Sequence, residues 1–262
     1  MSAGVQVSEH RYKTAGGVPL TLRVFQPSGG GPPERPAIVF FFGGGWRQGT
    51  VEQFVPQCRH LASGGMVALA ADYRVRGRHG TTPLEAMADA RSAIRWARTG
   101  HAELGIDPDR IAAAGGSAGG HIAACAALIP TPAEPGEDGG VRAEPDALVL
   151  FNPVLDTTRM PLAREVLGAR AEAASPLHHV APGAPPTVLF HGTADDMVPF
   201  AQAEEFARRM RSAGNRCDLV AFEGRGHGFF NHGRDDGGPY RETLARTEGF
   251  LASLGWYPPD RR

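Results

Sequence analysis

The chain has 262 residues, and its 27 basic and 28 acidic side chains leave a formal net charge of −1. Because the charges nearly cancel and form no long run, the sequence offers no electrostatic footprint for nucleic acid or an anionic membrane, and we expect neither partner. No segment has the length of a membrane span, and the N-terminus lacks the apolar core of a secretory signal, so we expect a cytoplasmic protein.

The hydrophobic content of 42% is sufficient for one buried core, which favours a single domain over residues 1–262. The three cysteines, Cys58, Cys125 and Cys217, are widely separated and form no CxxC pair. This spacing predicts buried free thiols rather than a disulfide framework or a thiolate metal site.

The first elements along the chain are two apolar or alternating segments on either side of the Gly16-Gly17 turn signal, at residues 5–12 and 20–25. They predict an antiparallel hairpin at a sheet edge. Six later apolar runs without a polar face are typical of strands that are buried on both sides. These runs occupy residues 37–42, 66–71, 110–114, 147–151, 187–190 and 217–222.

Segments with helical periodicity lie between those strands. The clearest follows Thr82-Pro83, an N-cap and a first-turn proline, and runs to Gly100. The others cover residues 51–62, 117–128, 200–212 and 241–254. Alternating strands and helices favour βαβ units and therefore an α/β sheet with helices on both faces.

Two segments interrupt this alternation. Residues 130–145 are rich in proline, glycine and acidic side chains, which predicts a surface loop. Residues 156–185, hereafter the rim segment, contain only a short helical pattern at 162–167 and lie between two predicted strands. We expect the rim segment to form a small lid or rim at the substrate entrance.

The segment from Gly115 to Gly119 fits the Gly-x-Ser-x-Gly pattern and stands between a predicted strand and an alanine-rich predicted helix. In this context the pattern predicts a strained turn that exposes the Ser117 hydroxyl as a nucleophile. A glycine turn that only lets strand and helix pack closely is the alternative. A phosphate-binding loop is disfavoured because no Gly-Lys-Ser/Thr follows.

A nucleophilic serine requires a histidine base and a carboxylate that orients the histidine, in the chain order serine, acid, histidine. Asp195 follows the strand at 187–190 and is the predicted acid, with its neighbour Asp196 as the alternative. His227 follows the last predicted strand between two glycines and is the predicted base, with His232 as its rival.

Three glycines at residues 43–45 follow the first central strand and precede Trp46. Their unobstructed amides, with the amide of Ala118, predict an oxyanion hole for the tetrahedral intermediate of acyl transfer. A simple turn of small residues is the alternative.

Four motifs in this order, FGGGW, GGSAGGH, HGTADDMVP and GHGF, resemble the hormone-sensitive-lipase-like and feruloyl- and acetyl-esterase-like (BD-FAE-like) branch of the α/β-hydrolases. The resemblance covers nearly the whole chain and implies a mostly parallel eight-stranded sheet, a small lid or none, and no cofactor or metal. It also implies the site residues: nucleophile Ser117, acid Asp195, base His227, and oxyanion donors Gly44, Gly45 and Ala118.

One motif departs from this branch, because Phe42 stands where most members have the histidine of His-Gly-Gly-Gly. The loop geometry that this histidine supports must therefore arise in another way. The N-terminal cap of lipase-like members is also absent, which favours an open site for small or carbohydrate-linked acyl groups.

These residues predict a carboxylesterase for a small-molecule ester with a short-chain or aromatic acyl group, such as acetyl or feruloyl groups on sugars. The alternatives are an acyltransferase, cyclase or peptidase with the same acyl-serine chemistry, and a binding protein without turnover. Trp46, His121 and Phe229 are candidates for the substrate pocket, and His121 has a brace for the nucleophile helix as its second interpretation. The oligomeric state stays open, with a homodimer as one alternative.

Overall fold

The computed structural model of the chain describes residues 4–28 and 34–258. Within these residues an eight-stranded sheet has the order β1-β2-β4-β3-β5-β6-β7-β8. Strands β1 and β2 pair antiparallel with each other and β2 pairs antiparallel with β4, whereas all later neighbours are parallel. The strands are Val5–Ala15, Val18–Pro27, Arg35–Phe41, Val67–Ala71, Ile106–Gly116, Ala147–Phe151, Thr187–Gly192 and Cys217–Phe222. The predicted edge hairpin and mostly parallel sheet are confirmed.

Eight α-helices connect and cover the strands in the described residues. In chain order, α1 to α8 are Val55–Ser63, Arg76–His79, Pro83–Thr99, His101–Leu104, Ala118–Leu128, Pro161–Leu167, Phe200–Ser212 and Gly238–Ser253. None of these described helices combines the length and the hydropathy that crossing a bilayer requires.

The two faces of the sheet bury two separate hydrophobic cores. Successive residues of β3 alternate between them, with Val39 in one core and Ile38 in the other, as the two-residue period of a strand requires. The first core packs against α3, α5 and α7, and the second packs against α1 and α8. Helices therefore cover both faces, which explains why the central strands read as unbroken apolar runs.

The helix boundaries differ from the sequence prediction where proline enters the first turn. The predicted helix at 51–62 is a 3₁₀ turn, Val51–Phe54, followed by α1 with Pro56 in its first turn. The predicted helix at 241–254 begins earlier, at Gly238, with Pro239 in its first turn. A first-turn proline leaves no helical hydrogen bond unmade, so a helix begins there at no cost. The Thr82 prediction is confirmed, because the Thr82 and Glu85 side chains form a reciprocal capping box at the start of α3.

Buried arginines hold the predicted surface loop at 130–145. Arg95 donates a hydrogen bond to Glu137 and Arg91 donates one to Glu144, both from α3. The rim segment contains α6 and three short 3₁₀ turns, Thr157–Arg159, Gly168–Arg170 and Pro176–His179. The three cysteines are buried and free, as predicted.

Candidate active site

The turn between β5 and α5 holds Ser117 in a conformation that side chains rarely adopt. Its backbone has φ 53° and ψ −117°, and its amide donates to the carbonyl oxygen of Phe151 at the end of β6. A Cβ at Gly119 would overlap the carbonyl oxygens of Phe41 and Phe42, and one at Gly115 would lie 2.5 Å from the Gly119 carbonyl carbon. The glycines at these two positions therefore allow the tight turn that presents the serine at the carboxyl edge of the sheet. The helix begins at Ala118 rather than at Ser117.

Ser117, His227 and Asp195 lie in one hydrogen-bonded line across three loops. The His227 Nε2 atom is 3.0 Å from Ser117 Oγ, and His227 Nδ1 is 2.8 Å from Asp195 Oδ2. Because a carboxylate only accepts, Nδ1 carries the proton and Nε2 is free to accept the hydroxyl proton. The His227 side chain is 14% exposed, so it faces solvent and serine while its other side contacts the buried acid.

Asp195 is held as an anion by four donors. Its Oδ1 atom accepts hydrogen bonds from the amides of Met197 and Val198 at 3.0 and 2.9 Å. Its Oδ2 atom lies 2.8 Å from His227 Nδ1 and 3.3 Å from His191 Nε2. Burial alone would raise the pKa of the Asp195 carboxyl, but the hydrogen bonds from the two histidines and a backbone amide outweigh it and hold this pKa well below its usual range.

Asp196 and His232, the alternative acid and the rival base, take no part in the hydrogen-bonded line of Ser117, His227 and Asp195. The Asp196 side chain lines the cavity described below, and it does not cap α7, whose N-cap is Pro199 without a side-chain bond. The turn before α7 is stabilised by Asp195 Oδ1, which accepts from the amides of Met197 and Val198. The exposed His232 packs edge-on against Tyr240, with ring centroids 4.9 Å apart.

Asn152, at the end of β6, fixes the loop that carries His227. Its side-chain oxygen accepts a hydrogen bond from the Gly228 backbone N–H at 3.0 Å, and its backbone N–H donates to Phe190 O at 2.7 Å. Asn152 is 1% exposed and has φ 34°, an unfavourable backbone value that its two hydrogen bonds offset. The loop that carries His227 is therefore hydrogen-bonded directly to the residue at the end of β6.

The glycine loop at residues 43–45 lies against the serine. A Cβ at Gly43 would lie 3.4 Å from the Ser117 Cβ atom, which places this loop beside the nucleophile. Within the described ranges, the amides of Gly44 and Gly45 donate no backbone hydrogen bond. Ala118 is the first residue of α5, where a helix amide has no intrahelical acceptor. Gly44, Gly45 and Ala118, the predicted oxyanion donors, all line the cavity that contains Ser117.

Contacts of Phe42 and Gln53 fix the glycine loop, in place of the histidine that most of the branch has at position 42. Phe42 is buried and stacks on Tyr73 with ring centroids 4.2 Å apart, and the Tyr73 hydroxyl donates to Phe42 O at 2.7 Å. The Gly43 amide donates to Gln53 Oε1 at 2.6 Å, and Gln53 Nε2 donates to Asn231 Oδ1 at 2.9 Å. Gln53 therefore ties the glycine loop to the loop that carries His227.

A cavity of about 710 Å³ opens at Ser117 and His227. Its wall includes the glycine loop, Trp46, Phe230, and two apolar residues of the rim segment, Met160 and Leu162. Polar side chains from several loops also line the cavity: Arg47, Gln48, Gln53, Asn152, Asp196, Asn231 and Arg234. The cavity thus combines apolar surface with a few polar groups, as small-ligand sites do.

Two of the three pocket candidates are corrected. Phe229 is 1% exposed, packs against Phe222 in the second core and does not line the cavity, whereas its neighbour Phe230 does. The Phe229 and Phe230 rings are nearly perpendicular, with an interplanar angle of 88°. His121 is fully buried and is also absent from the lining.

His121 instead braces the nucleophile helix, the second of its two predicted interpretations. Trp46 Nε1 donates to His121 Nδ1 at 3.3 Å, and His121 Nε2 is 2.7 Å from the carbonyl oxygen of Ala174 in the rim segment. Burial lowers the pKa of His121 to about 4, although the bond to Ala174 acts in the opposite direction. The neutral imidazole thus joins three segments: the glycine loop, α5 and the rim segment.

Sequence patterns did not indicate Gln53, Asn152, Asn231 or His191. Gln53, Asn152 and Asn231 act through partners distant along the chain, and Gln53 and Asn231 are 178 positions apart. His191 contacts Asp195, only four positions later, and no motif marks it. Among the described residues no group of three or more histidine, cysteine, aspartate or glutamate side chains is arranged to hold a metal ion.

The sheet order and the serine at a strained strand-to-helix turn define the α/β-hydrolase fold. Two family models match the chain. One described as BD-FAE matches residues 22–147, and one described as the prolyl oligopeptidase family matches residues 156–246.

Similar proteins carry esterase names. The probable carboxylic ester hydrolase LipM of Mycobacterium tuberculosis is 33% identical over 71% of this chain and 47% of its own length, and Esterase LipC of the same organism is 31% identical over 75% of this chain and 54% of its own. The chain spans about half the length of these curated relatives.

Solved structures of Thermogutta terrifontis esterase 2 match over nearly their full length. One, phosphoramylated by tabun, is 49% identical with a TM-score of 0.92 and covers 99% of this chain and 98% of its own. Another, bound to propionate, is 48% identical with a TM-score of 0.91, and the match covers 99% of this chain and 97% of that chain. The chain therefore belongs to the α/β-hydrolase superfamily, among the serine esterases of the hormone-sensitive-lipase-like and BD-FAE-like type.

Proposed function

We propose that this protein is a carboxylesterase that hydrolyses short-chain acyl esters of small molecules through an acyl-enzyme on Ser117. One observation carries the proposal: His227 Nε2 lies 3.0 Å from Ser117 Oγ while His227 Nδ1 lies 2.8 Å from the buried Asp195 carboxylate. This is the contact that lets an imidazole take a hydroxyl proton at neutral pH.

In the acylation step, Ser117 Oγ attacks the ester carbonyl carbon and its proton passes to His227 Nε2. The carbonyl oxygen becomes an oxyanion, which the amides of Gly44, Gly45 and Ala118 bind. The intermediate collapses, the bond to the alcohol oxygen breaks, and His227 returns its proton to the leaving alkoxide. Asp195 stays ionised throughout and stabilises the transient imidazolium.

In the deacylation step, His227 takes a proton from water, and the hydroxide attacks the acyl carbon. The same amides bind the second oxyanion, and collapse returns the proton from His227 to Ser117 Oγ. The carboxylic acid leaves. Trp46 and the apolar rim residues Met160 and Leu162 line the cavity at Ser117. We propose that they form the walls that contact the acyl and alcohol groups of the ester.

The substrate class is supported by what is bound in similar structures. Thermogutta terrifontis esterase 2 has been solved with propionate and with butyrate, and in phosphonylated and phosphorylated forms with sarin and paraoxon. Small carboxylates and organophosphates are the product class and the covalent inhibitor class of a short-chain serine esterase. We propose that this chain takes the same acyl chain lengths.

Hydrolysis of p-nitrophenyl acetate, propionate, butyrate and octanoate tests the proposal. We expect turnover of the three short esters, weaker turnover of the octanoate, and a loss of kcat of at least about 10⁴-fold in Ser117→Ala. Ser212→Ala, at an exposed position on α7, is the matched control and should keep wild-type kcat. Equal rates in Ser117→Ala and wild type would refute the proposal.

A peptidase is the second candidate, because the prolyl oligopeptidase family model matches residues 156–246. Peptide p-nitroanilides, including one with proline before the scissile bond, discriminate the two activities. We expect kcat/KM for these anilides to be at least about 10³-fold below that for the acetate ester, since an amide is the harder bond. Among the described residues, Asp196 is also the single carboxylate that lines the cavity, whereas a peptide amine would favour a pair. Comparable values would favour the peptidase.

A further inference from the structure

A second histidine, His191, contacts the same carboxylate oxygen of the proposed catalytic acid as His227 does. His191 stands near the end of β7, four residues before Asp195, and its side chain is fully buried. His191 Nε2 lies 3.3 Å from Asp195 Oδ2 and 2.8 Å from the carbonyl oxygen of Val198. The oxygen atom of Asp195 that faces His227 is thus shared between two imidazoles.

The contacts of His191 fix its tautomer. A carbonyl oxygen only accepts, so the Nε2 atom carries a proton, which is shared between Val198 O and Asp195 Oδ2. His191 Nδ1 is buried and has no hydrogen-bond partner among the residues that the structure describes. The Nε2–H group is therefore the donor that His191 presents to Val198 O and to the Asp195 carboxylate.

We propose that His191 is a positioning residue. Its Nε2–H group contacts Asp195 Oδ2 as a second donor and so sets the strength of the hydrogen bond between His227 Nδ1 and Asp195. The proposal rests on the proposed function, because it assigns His191 a part in the same reaction. A donor that shares an acceptor oxygen withdraws electron density from it, so the His227 Nδ1–H bond to Asp195 is weaker than it would be alone. His191 thereby keeps the imidazolium form of His227 from being over-stabilised.

The packing around His191 supports this role over a merely structural one. From α7 the aromatic ring of Phe200 meets His191 edge-on at 5.8 Å, and on β8 its register partner is Ala221. The β6 strand that lies beside β7 contributes apolar residues to this part of the sheet. Asp195 is therefore the charged group that faces His191 from the packed elements.

The other charged groups near Asp195 and His227 are paired or point away. Arg225 forms an ion pair with the partly exposed Asp235 at 3.3 Å. The guanidinium of Arg234 donates to the carbonyl oxygen of His227 at 2.7 Å rather than to its ring. Asp196 is exposed. Within the described part of the chain, His191 and His227 are the titratable side chains whose ring nitrogens contact the Asp195 carboxylate, at 3.3 and 2.8 Å.

The consequence is a pH effect with a definite sign. The acidic limb of kcat/KM reports protonation of the free-enzyme base, which is His227 in this proposal. Without the donor at position 191, Asp195 Oδ2 binds the His227 imidazolium more strongly, and the apparent pKa of the acidic limb rises. A residue that only fills space would lower the rate without moving this limb.

The test compares His191→Phe, which keeps a ring but removes the donor, with His191→Gln, whose amide nitrogen can reach the same oxygen. We expect His191→Phe to move the acidic limb up by about half a pH unit and to lower kcat/KM about tenfold on the alkaline plateau. His191→Gln should restore most of both. His178→Phe, at an exposed histidine of the rim segment, is the matched control and should match wild type.

Two results would overturn the proposal: an acidic limb in His191→Phe within 0.1 pH unit of wild type, or equal shifts in the Phe and Gln variants. If His191→Phe does not fold, as judged by circular dichroism, His191→Asn takes its place, because its shorter side chain does not reach Asp195 Oδ2. Failure of the proposed function is recognised separately, since Ser117→Ala would then hydrolyse the ester as fast as wild type.

Discussion

Two histidines contact Ser117, one through its ring and one through its backbone amide, and their imidazoles have opposite environments. His227 contacts the serine hydroxyl through Nε2 and the Asp195 carboxylate through Nδ1, at the mouth of a cavity. His121 contacts the same residue through its backbone, because its amide donates to Ser117 O at 3.0 Å in the first turn of α5. The ring of His121 is fully buried between an indole and a carbonyl oxygen.

The comparison shows that partners rather than residue type decide what a histidine does. A carboxylate partner stabilises the imidazolium and so makes proton transfer from the serine favourable. A carbonyl partner and complete burial keep His121 neutral, which suits a hydrogen-bonded brace and excludes acid–base work. The active region is therefore polar and open, and the bracing region is dry and fixed.

The largest expected effect separates the two histidines after the last strand. We expect His227→Ala to lower kcat for p-nitrophenyl acetate at least about 10⁴-fold, because no other group can accept the Ser117 proton. His232→Ala, five positions later at an exposed site, should leave kcat within about twofold. Steady-state kinetics on folded variants measure both. A similar loss in the two variants would contradict the assignment of the base.

The next largest effect is the contribution of the buried His121 to the pH dependence of the free energy of unfolding. In the unfolded chain this imidazole binds a proton below about pH 6.5, whereas in the folded protein it does so only below about pH 4. The unfolded state therefore binds more protons between these values, and the free energy of unfolding should fall by about 3 kcal/mol as the pH drops through this window.

Urea unfolding at several pH values measures this contribution. We expect His121→Gln, which can still donate to Ala174, to be less stable than wild type at neutral pH but to lose less stability between pH 6.5 and 4. His178→Gln, at an exposed histidine, should keep the wild-type slope. A wild-type slope in His121→Gln would show that His121 is not held neutral by the fold.

The smallest effect concerns the link between the glycine loop and the His227 loop. We expect Gln53→Ala to lower kcat about tenfold with little change in KM, because the Gly43 amide and the Asn231 side chain lose a shared partner and the oxyanion donors lose their fixed position. Gln6→Ala, at an exposed position of β1, is the control. An effect on KM alone would mean that Gln53 contacts substrate rather than positioning the loop.

Much of the fold could be predicted because its signals are local. A strand buried on both faces must be apolar throughout, which made the five strands β3 to β7 visible as short runs. The run at residues 217–222 was predicted to be buried on both sides as well, but β8 is an edge strand and is only partly buried. The Thr82 capping box and the glycines around Ser117 are likewise local, because each serves a backbone conformation within a few residues. Asp195 and His227 could be chosen by their positions after strands that end at one sheet edge.

The rest depended on side-chain direction and on contacts between distant segments. Phe229 and Phe230 are adjacent and chemically identical, yet their rings are nearly perpendicular and only Phe230 lines the cavity. Gln53 meets Asn231 across the sheet edge, and no periodicity connects two positions so far apart. No sequence pattern shows whether His121 braces a helix or lines the pocket. None shows that His191 contacts the acid either.

Covalent labelling of Ser117 tests the central claim most directly. An alkyl fluorophosphonate should form one phosphonyl-serine adduct, found by peptide mass spectrometry on the peptide that contains Ser117 and lost in Ser117→Ala. The rate of labelling should fall at least about 10³-fold in His227→Ala, because the hydroxyl loses its base. Labelling at another residue, or labelling of Ser117 that does not depend on His227, would contradict the account.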